Sequence, residues 1–151
     1  MAGDPELWAQ HPASDRWREE AFRAYFDAWL LRGGGLAIVE RTSGRLIGAS
    51  CYSLEGRLPG EVEIGWTFLA RDHWGGATNH EVKRLMVGHA LDHCERAVFR
   101  VAETNLRSRK ALEKIGARLT DRTEEADVAG RPVRHVVYAL DRPVPAGGPG
   151  S

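Results

Sequence analysis

Residues 61–90 read EVEIGWTFLARDHWGGATNHEVKRLMVGHA, and this stretch decides how the chain folds. Over residues 61–69 apolar side chains alternate with polar or small ones, which predicts a β-strand with one face in the core. From residue 78 to residue 93 apolar side chains recur every three or four positions, which predicts a helix. A strand, a glycine-rich turn and a helix are therefore expected in immediate succession. The predicted core face of the strand consists of Val62, Ile64, Trp66 and Phe68.

The turn between this strand and this helix has the composition of an anion-binding site. Gly75 and Gly76 present backbone N–H groups with no side chain in front of them. Thr78 and Glu81 have the spacing of a capping box, which predicts that the helix begins at this point. A helix N-terminus adds partial positive charge, so the two features together attract phosphate. We therefore expect the Gly75-Gly76-Ala77 amides to bind a phosphate group.

The composition favours a single domain. The chain has 151 residues, of which 42% are hydrophobic, enough for one core. Its 21 basic and 21 acidic side chains balance, which disfavours nucleic acid and anionic lipid as partners. Neither a signal peptide nor an apolar run of about 20 residues is readable, so no membrane span is expected. Two cysteines, Cys51 and Cys94, predict reduced core thiols in a cytoplasmic protein.

The rest of the chain predicts a mixed α/β sheet with crossover helices. Residues 1–13 are expected to be irregular, with at most a short helical piece over 6–10, and residues 143–151 to form a disordered tail. A helix from Ser14 as N-cap to Gly33 has an aromatic face, which is either core or the wall of a cleft or dimer contact. The other predicted elements are strands over 36–41, 45–52, 97–103, 117–123 and 133–140, a helix over 105–115, and a turn at Ala129-Gly130.

Four short motifs occur in a characteristic order. They are Glu63-Ile64-Gly65-Trp66, then Trp74-Gly75-Gly76-Ala77 with Glu81, then Asn105-Leu106-Arg107-Ser108, and last Glu113-Lys114-Ile115-Gly116-Ala117. Together they resemble the GNAT superfamily of N-acetyltransferases, and within it the RimJ/RimL-like branch of ribosomal-protein N-terminal acetyltransferases. The resemblance covers roughly residues 36–141. It implies a single GNAT domain over 14–142, with a mixed, mostly antiparallel sheet flanked by helices, acetyl-CoA as cofactor, and a protein N-terminus or a small amine as acceptor.

The resemblance also implies where the cofactor binds. The turn amides would hold the pyrophosphate, the end of the preceding strand would pair with the pantetheine arm, and Asn105 would hydrogen-bond that arm. Apart from the resemblance, Arg107, Arg109 and Lys110 form a basic start to the last helix that could meet a phosphate of the cofactor, although solvated surface charge is the more common role of such residues. Ala77 departs from the family's glycine, and its Cβ fits only at a negative φ, so weaker binding is expected. The implied cofactor-binding residues are Phe68, Leu69, Ala70, Trp74, Gly75, Gly76, Ala77, Thr78, Asn79, Asn105, Arg107 and Ser108.

Acetyl transfer from a thioester to an amine requires a base for the amine and a proton for the departing thiolate. Glu63 lies on the strand face opposite Ile64, near the middle of the sheet, and is the best candidate for the general base. An ion pair with Arg41, Arg45 or Arg100 is an equally good interpretation of the same carboxylate.

Ser108 is the candidate for protonating or orienting the thiolate. The family's usual tyrosine is missing from the last helix, and the resemblance to the RimL-like branch then favours Ser108. Spacing alone favours a first-turn helix serine that bonds the backbone. His89 and His93 stand four residues apart but lack an obvious third ligand, so no metal site is predicted.

The start of the chain departs from the family pattern, because GNAT folds generally begin with a strand and a helix that are not readable before Ser14. An exposed sheet edge is therefore expected, and a homodimer that covers it. The leading functional hypothesis is an acetyl-CoA-dependent N-acetyltransferase. The alternatives are a non-catalytic acetyl-CoA binder or decayed family member, and, more weakly, an unrelated phosphate-binding module, which lacks a Walker lysine.

Overall fold

The computed structural model, which describes residues 1–9, 13–128 and 130–143, places six strands of the described chain in one sheet. The helices are α1 (Pro5–Trp8), α2 (Glu19–Arg32), α3 (Ala77–His93) and α4 (Leu106–Lys114). The strands are β1 (Gly35–Val39), β2 (Leu46–Ser53), β3 (Glu61–Leu69), β4 (Arg96–Ala102), β5 (Arg118–Val128) and β6 (Arg131–Asp141). A short 3₁₀ turn, Arg71–His73, lies between β3 and α3.

The sheet is mixed and mostly antiparallel, which confirms the predicted fold class. Its strand order is β1-β2-β3-β4-β6-β5. Only β3 and β4 run parallel, and α3 forms the crossover between them, whereas every other neighbouring pair is antiparallel. Two parallel neighbouring strands require such a crossover, because the chain must return to the same end of the sheet before it forms the second strand.

Helices cover both faces of the sheet. On one face, Ile64 of β3 packs in a buried cluster with Met86 of α3 and Leu112 of α4. Burying a side chain of this size contributes about 1.5–3 kcal/mol. On the other face, the Phe68 ring lies 5.5 Å from that of Trp8 and 6.0 Å from that of Phe22 in α2. The aromatic face of α2 therefore contacts the core, although no residue of α2 is fully buried.

A β-bulge at Trp66 divides β3 into two halves. Cys51 pairs with Gly65, but Ala49 pairs with Phe68, so β3 has one residue more than β2 in this interval. Trp66 has φ 52°, and no other non-glycine residue of the described chain has a positive φ. The extra residue reverses the alternation, so Ile64 and Phe68 contact opposite faces. The predicted core face is therefore wrong beyond Ile64.

The strands β3 and β4 separate soon after they meet. They pair only from Glu61 with Arg96 to Glu63 with Val98. Beyond these residues β3 continues to Leu69, paired with β2, and β4 continues to Ala102, paired with β6. Their facing edges are consequently unpaired, and a gap opens between the two strands. Both strands lead from this gap directly into the turns that begin α3 and α4.

Several predicted boundaries agree with the structure, and those of three elements differ. The helix predicted from Ser14 begins at Glu19, after turns, and its N-cap Arg18 makes no side-chain cap hydrogen bond. The last two strands are longer than predicted, because the charged residues at 124–128 hide the alternation of β5. Gly130 makes the turn with φ 78°. Ala129, residues 10–12 and residues 144–151, which include nearly all of the predicted tail, lie outside the described residues.

Candidate active site

The glycine turn leaves the start of α3 open. Gly75 has φ 69°, a conformation that suits glycine, and Gly76 is the N-cap of α3. Among the described residues, apart from each glycine's own chain neighbours, no atom lies within 4 Å of the position that a Cβ would occupy on either glycine. The first turn of α3 contains no acidic side chain, and no side chain caps it. Its backbone N–H groups are therefore free of side-chain partners and suited to an anion.

Two predictions about this turn are settled by its geometry. The capping box is wrong: α3 begins at Ala77, and the hydroxyl of Thr78 lies 3.1 Å from Nδ1 of His73 instead of capping the helix. Ala77 is the first helical residue and does not have a positive φ. Its Cβ is therefore accommodated without backbone strain, whereas the predicted weaker cofactor binding stays a prediction.

Trp74 and Arg107 join the starts of α3 and α4. The Trp74 Nε1–H donates to the carbonyl oxygen of Leu69 at 3.0 Å, which fixes the indole against the end of β3. The Arg107 guanidinium stacks on the indole ring, and its partial burial lowers the pKa of Arg107. The two motifs, 74–79 and 105–108, are therefore in contact through these two side chains.

The start of α4 is held by Asn105. Its Oδ1 accepts from the backbone N–H of Ser108 at 3.3 Å, so Asn105 is the N-cap of α4 and is itself buried. This cap leaves the amide nitrogen of Asn105 for other partners. Ser108 is half-buried in the first turn of the helix. Beside it, a surface depression is lined by Thr104, Leu106, Arg107 and Lys110.

Glu63 stands at the apex of the gap, where the pairing of β3 with β4 ends. Glu63 is only 3% exposed, and its carboxylate forms two long ion pairs, at 3.5 Å to Nε of Arg100 and at 3.6 Å to Nε of Arg57. Burial raises the pKa of Glu63, against the lowering effect of Arg100 and Arg57. The predicted ion pair with Arg100 is therefore present, and it coexists with a pKa shift that favours a proton acceptor.

Arg57 was not predicted to be near Glu63. It also donates to both carboxylate oxygens of Glu124, at 2.9 and 3.1 Å, and its Nη1 is buried with no hydrogen-bond partner in the described chain. Arg45, which was also predicted as an ion-pair partner of Glu63, instead pairs with Asp72 at 2.7 Å. Arg57 comes from the loop before β3 and Glu124 from β5, so no local sequence signal connects them to the site.

Lys83 is a second residue that sequence reasoning missed. It lies on α3, in line with the buried Met86 and Ala90, and is itself buried. Its Nζ donates to Thr67 Oγ1 at 3.0 Å and lies 5.5 Å from the centroid of the Phe99 ring. Burial lowers the pKa of Lys83 to about 8. Its spacing from Met86 and Ala90 was the signal that a lysine occupies the buried stripe of α3.

The sequence profile of the acetyltransferase (GNAT) domain matches residues 1–118, and the chain belongs to this family. No curated protein matches the chain. In the described part of the chain, no helix has the length and apolarity needed to cross a membrane. The family predicted from the four motifs is thus confirmed, and the match extends to the start of the chain.

Solved acetyltransferase structures share the fold. A GCN5-related N-acetyltransferase from Brucella melitensis matches with a TM-score of 0.74 and 17% identity, over 94% of this chain and 66% of its own, so this chain spans just under two thirds of it. A protein from T. thermophilus assigned as an acetyltransferase matches with a TM-score of 0.68 and 28% identity, over 83% of this chain and 68% of its own. The ribosomal-protein-S5-alanine acetyltransferase from Vibrio fischeri matches with a TM-score of 0.63 and 13% identity, over 93% and 87%. At that identity the Vibrio protein shows the fold alone, and the RimJ/RimL-like branch stays a prediction.

Proposed function

We propose that the protein transfers an acetyl group from acetyl-CoA to a primary amine, on a protein N-terminus or a small molecule, as a RimJ/RimL-like acetyltransferase. The observation that carries this proposal is the gap between β3 and β4, bordered by the uncapped start of α3 and by the start of α4. An extended thioester with a phosphate-bearing end matches this combination of unpaired strand edges and helix N-terminal amides.

The chain's own residues divide the binding of acetyl-CoA between them. Backbone amides from Gly75 to Asn79 bind the pyrophosphate, and Arg107 adds a cation beside them. The edge of β3 at Phe68–Ala70 and the amide of Asn105 hold the pantetheine arm. When bound, acetyl-CoA supplies an acetyl group activated as a thioester.

Glu63 and Ser108 carry the proton transfers in this proposal. Glu63 accepts a proton from the acceptor amine, directly or through one water, because burial raises its pKa and makes it a better base. Ser108, in the first turn of α4, donates to the thiolate or orients it. Arg100 and Arg57 hold the Glu63 carboxylate in place while the amine approaches.

A non-catalytic acetyl-CoA binder is the second candidate, and the ion pairs of Glu63 favour it. The two arginines lower the pKa of Glu63 against the rise that burial produces, so the carboxylate is a weaker base than an equally buried, unpaired one would be. In this case release of free thiol from acetyl-CoA would stay at background with every amine offered, while the cofactor still binds.

We also propose a cytoplasmic homodimer in which a second copy covers the outer edge of β1. This strand is at the edge of the sheet, with Leu36 and Val39 exposed, and Leu31 at the end of α2 is 89% exposed. Exposed apolar side chains beside an unpaired strand edge favour association. Sedimentation equilibrium is expected to give twice the chain mass, and a monomer at micromolar concentrations would contradict the proposal.

Calorimetric titration tests the cofactor site. We expect saturable binding of acetyl-CoA that is tighter than that of ADP, because ADP reaches the glycine turn but not the gap. Release of thiol in the presence of amines then separates an enzyme from a binder. No binding of acetyl-CoA at millimolar concentration would refute the proposed function.

A further inference from the structure

Lys83 is a buried cation that the proposed chemistry does not use. Its side chain extends from α3 to the place where β3 and β4 have separated. Thr67 lies beyond Glu63, the last residue of β3 that pairs with β4, and Phe99 lies beyond Val98, the last residue of β4 that pairs with β3. The amine therefore lies near the point where the two strands separate. It is on the face of the sheet that α3 covers.

The surroundings of Lys83 leave most of its hydrogen-bonding capacity unused. An ammonium group donates three hydrogen bonds, and among the described residues Nζ has one acceptor, Thr67 Oγ1. No carboxylate of the described chain forms an ion pair with it, and burial is the cause of its shifted pKa. A buried amine with this few partners costs stability that an apolar residue of similar shape would not.

The polar neighbours of Lys83 are directed away from it. The Thr67 hydroxyl lies 2.7 Å from that of Ser50, which in turn donates to the carbonyl oxygen of Gly65 at 3.4 Å. Because the Ser50 hydroxyl donates to Gly65, the Thr67 hydroxyl donates to Ser50 and accepts from Lys83. The remaining N–H groups of Lys83 therefore have no acceptor among the described residues, at a place where β3 and β4 no longer pair with each other.

We propose that the Lys83 ammonium group binds a carbonyl oxygen of the acyl-pantetheine arm within the gap. This role rests on the proposed function and deepens it, because it makes the site select pantetheine thioesters over nucleotides that lack the arm. A charge-assisted hydrogen bond contributes more than a neutral one, so loss of this one lysine should measurably weaken the preference.

The experiment compares Lys83→Met with Lys114→Met, which removes an exposed lysine from α4. Affinities for acetyl-CoA and ADP are measured by calorimetry on the full chain. Lys83→Met is expected to weaken acetyl-CoA binding about tenfold or more, the loss of one charge-assisted hydrogen bond, and to leave ADP affinity unchanged. Lys114→Met should change neither affinity.

The other outcomes are equally informative. Equal acetyl-CoA affinity in Lys83→Met and the unaltered protein would overturn the role of Lys83, as would equal weakening of acetyl-CoA and ADP. If Lys83→Met does not fold in a thermal unfolding assay, Lys83→Gln keeps N–H donors without the charge and should lose part of the affinity. Acetylation of Lys83, detected by mass spectrometry after incubation with acetyl-CoA, would show a nucleophile and overturn the binding role. Failure of the unaltered protein to bind acetyl-CoA would instead refute the proposed function itself.

Discussion

The guanidinium carbon of Arg107 lies 3.8 Å from the centroid of the Trp74 ring, and this contact connects the two helix N-termini that border the gap. Trp74 is itself tied to the end of β3 through Leu69. Arg107 is exposed, and a cation–π contact at an exposed site contributes about 0.5–1 kcal/mol. This contact therefore joins the starts of α3 and α4 and places a positive charge between them.

Replacement of Arg107 is expected to weaken both phosphate-bearing ligands. Arg107→Ala removes the cation beside the turn, so acetyl-CoA and ADP should each bind about 5- to 10-fold less tightly. Arg84→Ala, which removes an exposed arginine from α3, is the control and should have no effect. Calorimetry at low and moderate salt concentration measures the affinities of both variants for acetyl-CoA and ADP. Loss of acetyl-CoA binding alone, with ADP unaffected, would show that Arg107 does not face the phosphates.

Glu63→Gln is expected to lower kcat by about 100-fold or more, the usual contribution of a general base, with little change in cofactor affinity. Glu61→Gln is a closely matched control. Glu61 is also buried, lies two residues away on β3, and pairs with Arg122 at 2.7 Å, but lies away from the apex of the gap. Initial rates of thiol release over a pH series measure the difference. A pH–rate profile that Glu63→Gln leaves unchanged would exclude Glu63 as the base.

Folding stability is expected to rise with pH between about 8 and 10 because of Lys83. Burial lowers the pKa of Lys83 from 10.5 to about 8, so in this window the unfolded chain binds more protons than the folded one. Below about pH 8 the full penalty applies, on the order of 3 kcal/mol. Burial raises the pKa of Tyr25 to about 12 and that of Cys51, and both groups act in the opposite direction as the pH rises.

Urea unfolding of Lys83→Met isolates this effect, since Tyr25 and Cys51 remain in both proteins. The variant should be more stable than the unaltered protein at pH 7, and the difference should shrink as the pH approaches 10. Lys114→Met should follow the unaltered protein throughout. A constant difference between Lys83→Met and the unaltered protein across this range would mean that Lys83 titrates normally.

Gly75 and Gly76 should respond differently to alanine. Gly75→Ala places a Cβ on a residue with φ 69°, which costs about 1–2 kcal/mol and lowers Tm by a few degrees. Gly76 has φ −99° and open space where a Cβ would lie, so Gly76→Ala should change stability by less than about 0.5 kcal/mol. Thermal unfolding of the two variants measures the contrast. Equal destabilisation by both would mean that the turn adopts another conformation in solution.

The sequence by itself determined the local elements and the family. Period-two alternation placed the strand at 61–69, and the glycines placed the turn before α3, because both signals depend only on neighbouring residues. The order of the four motifs identified the GNAT family, which the profile match confirms. Glu63, the glycine turn and Arg107 were also recognised as chemistry-bearing positions from sequence, and their proposed roles stay predictions.

Only the tertiary structure decided how these elements meet. The bulge at Trp66 depends on pairing with β2, and it reversed the faces that simple alternation predicted. The gap depends on where β3 and β4 stop pairing. Glu63 is paired with Arg100 on β4 and with Arg57 in the loop before β3, and only the folded chain brings both to its carboxylate. The environment of Lys83 is built by residues of β3 and β4, and burial there lowers its pKa. These properties arise from contacts between residues distant in the chain, which no local pattern records.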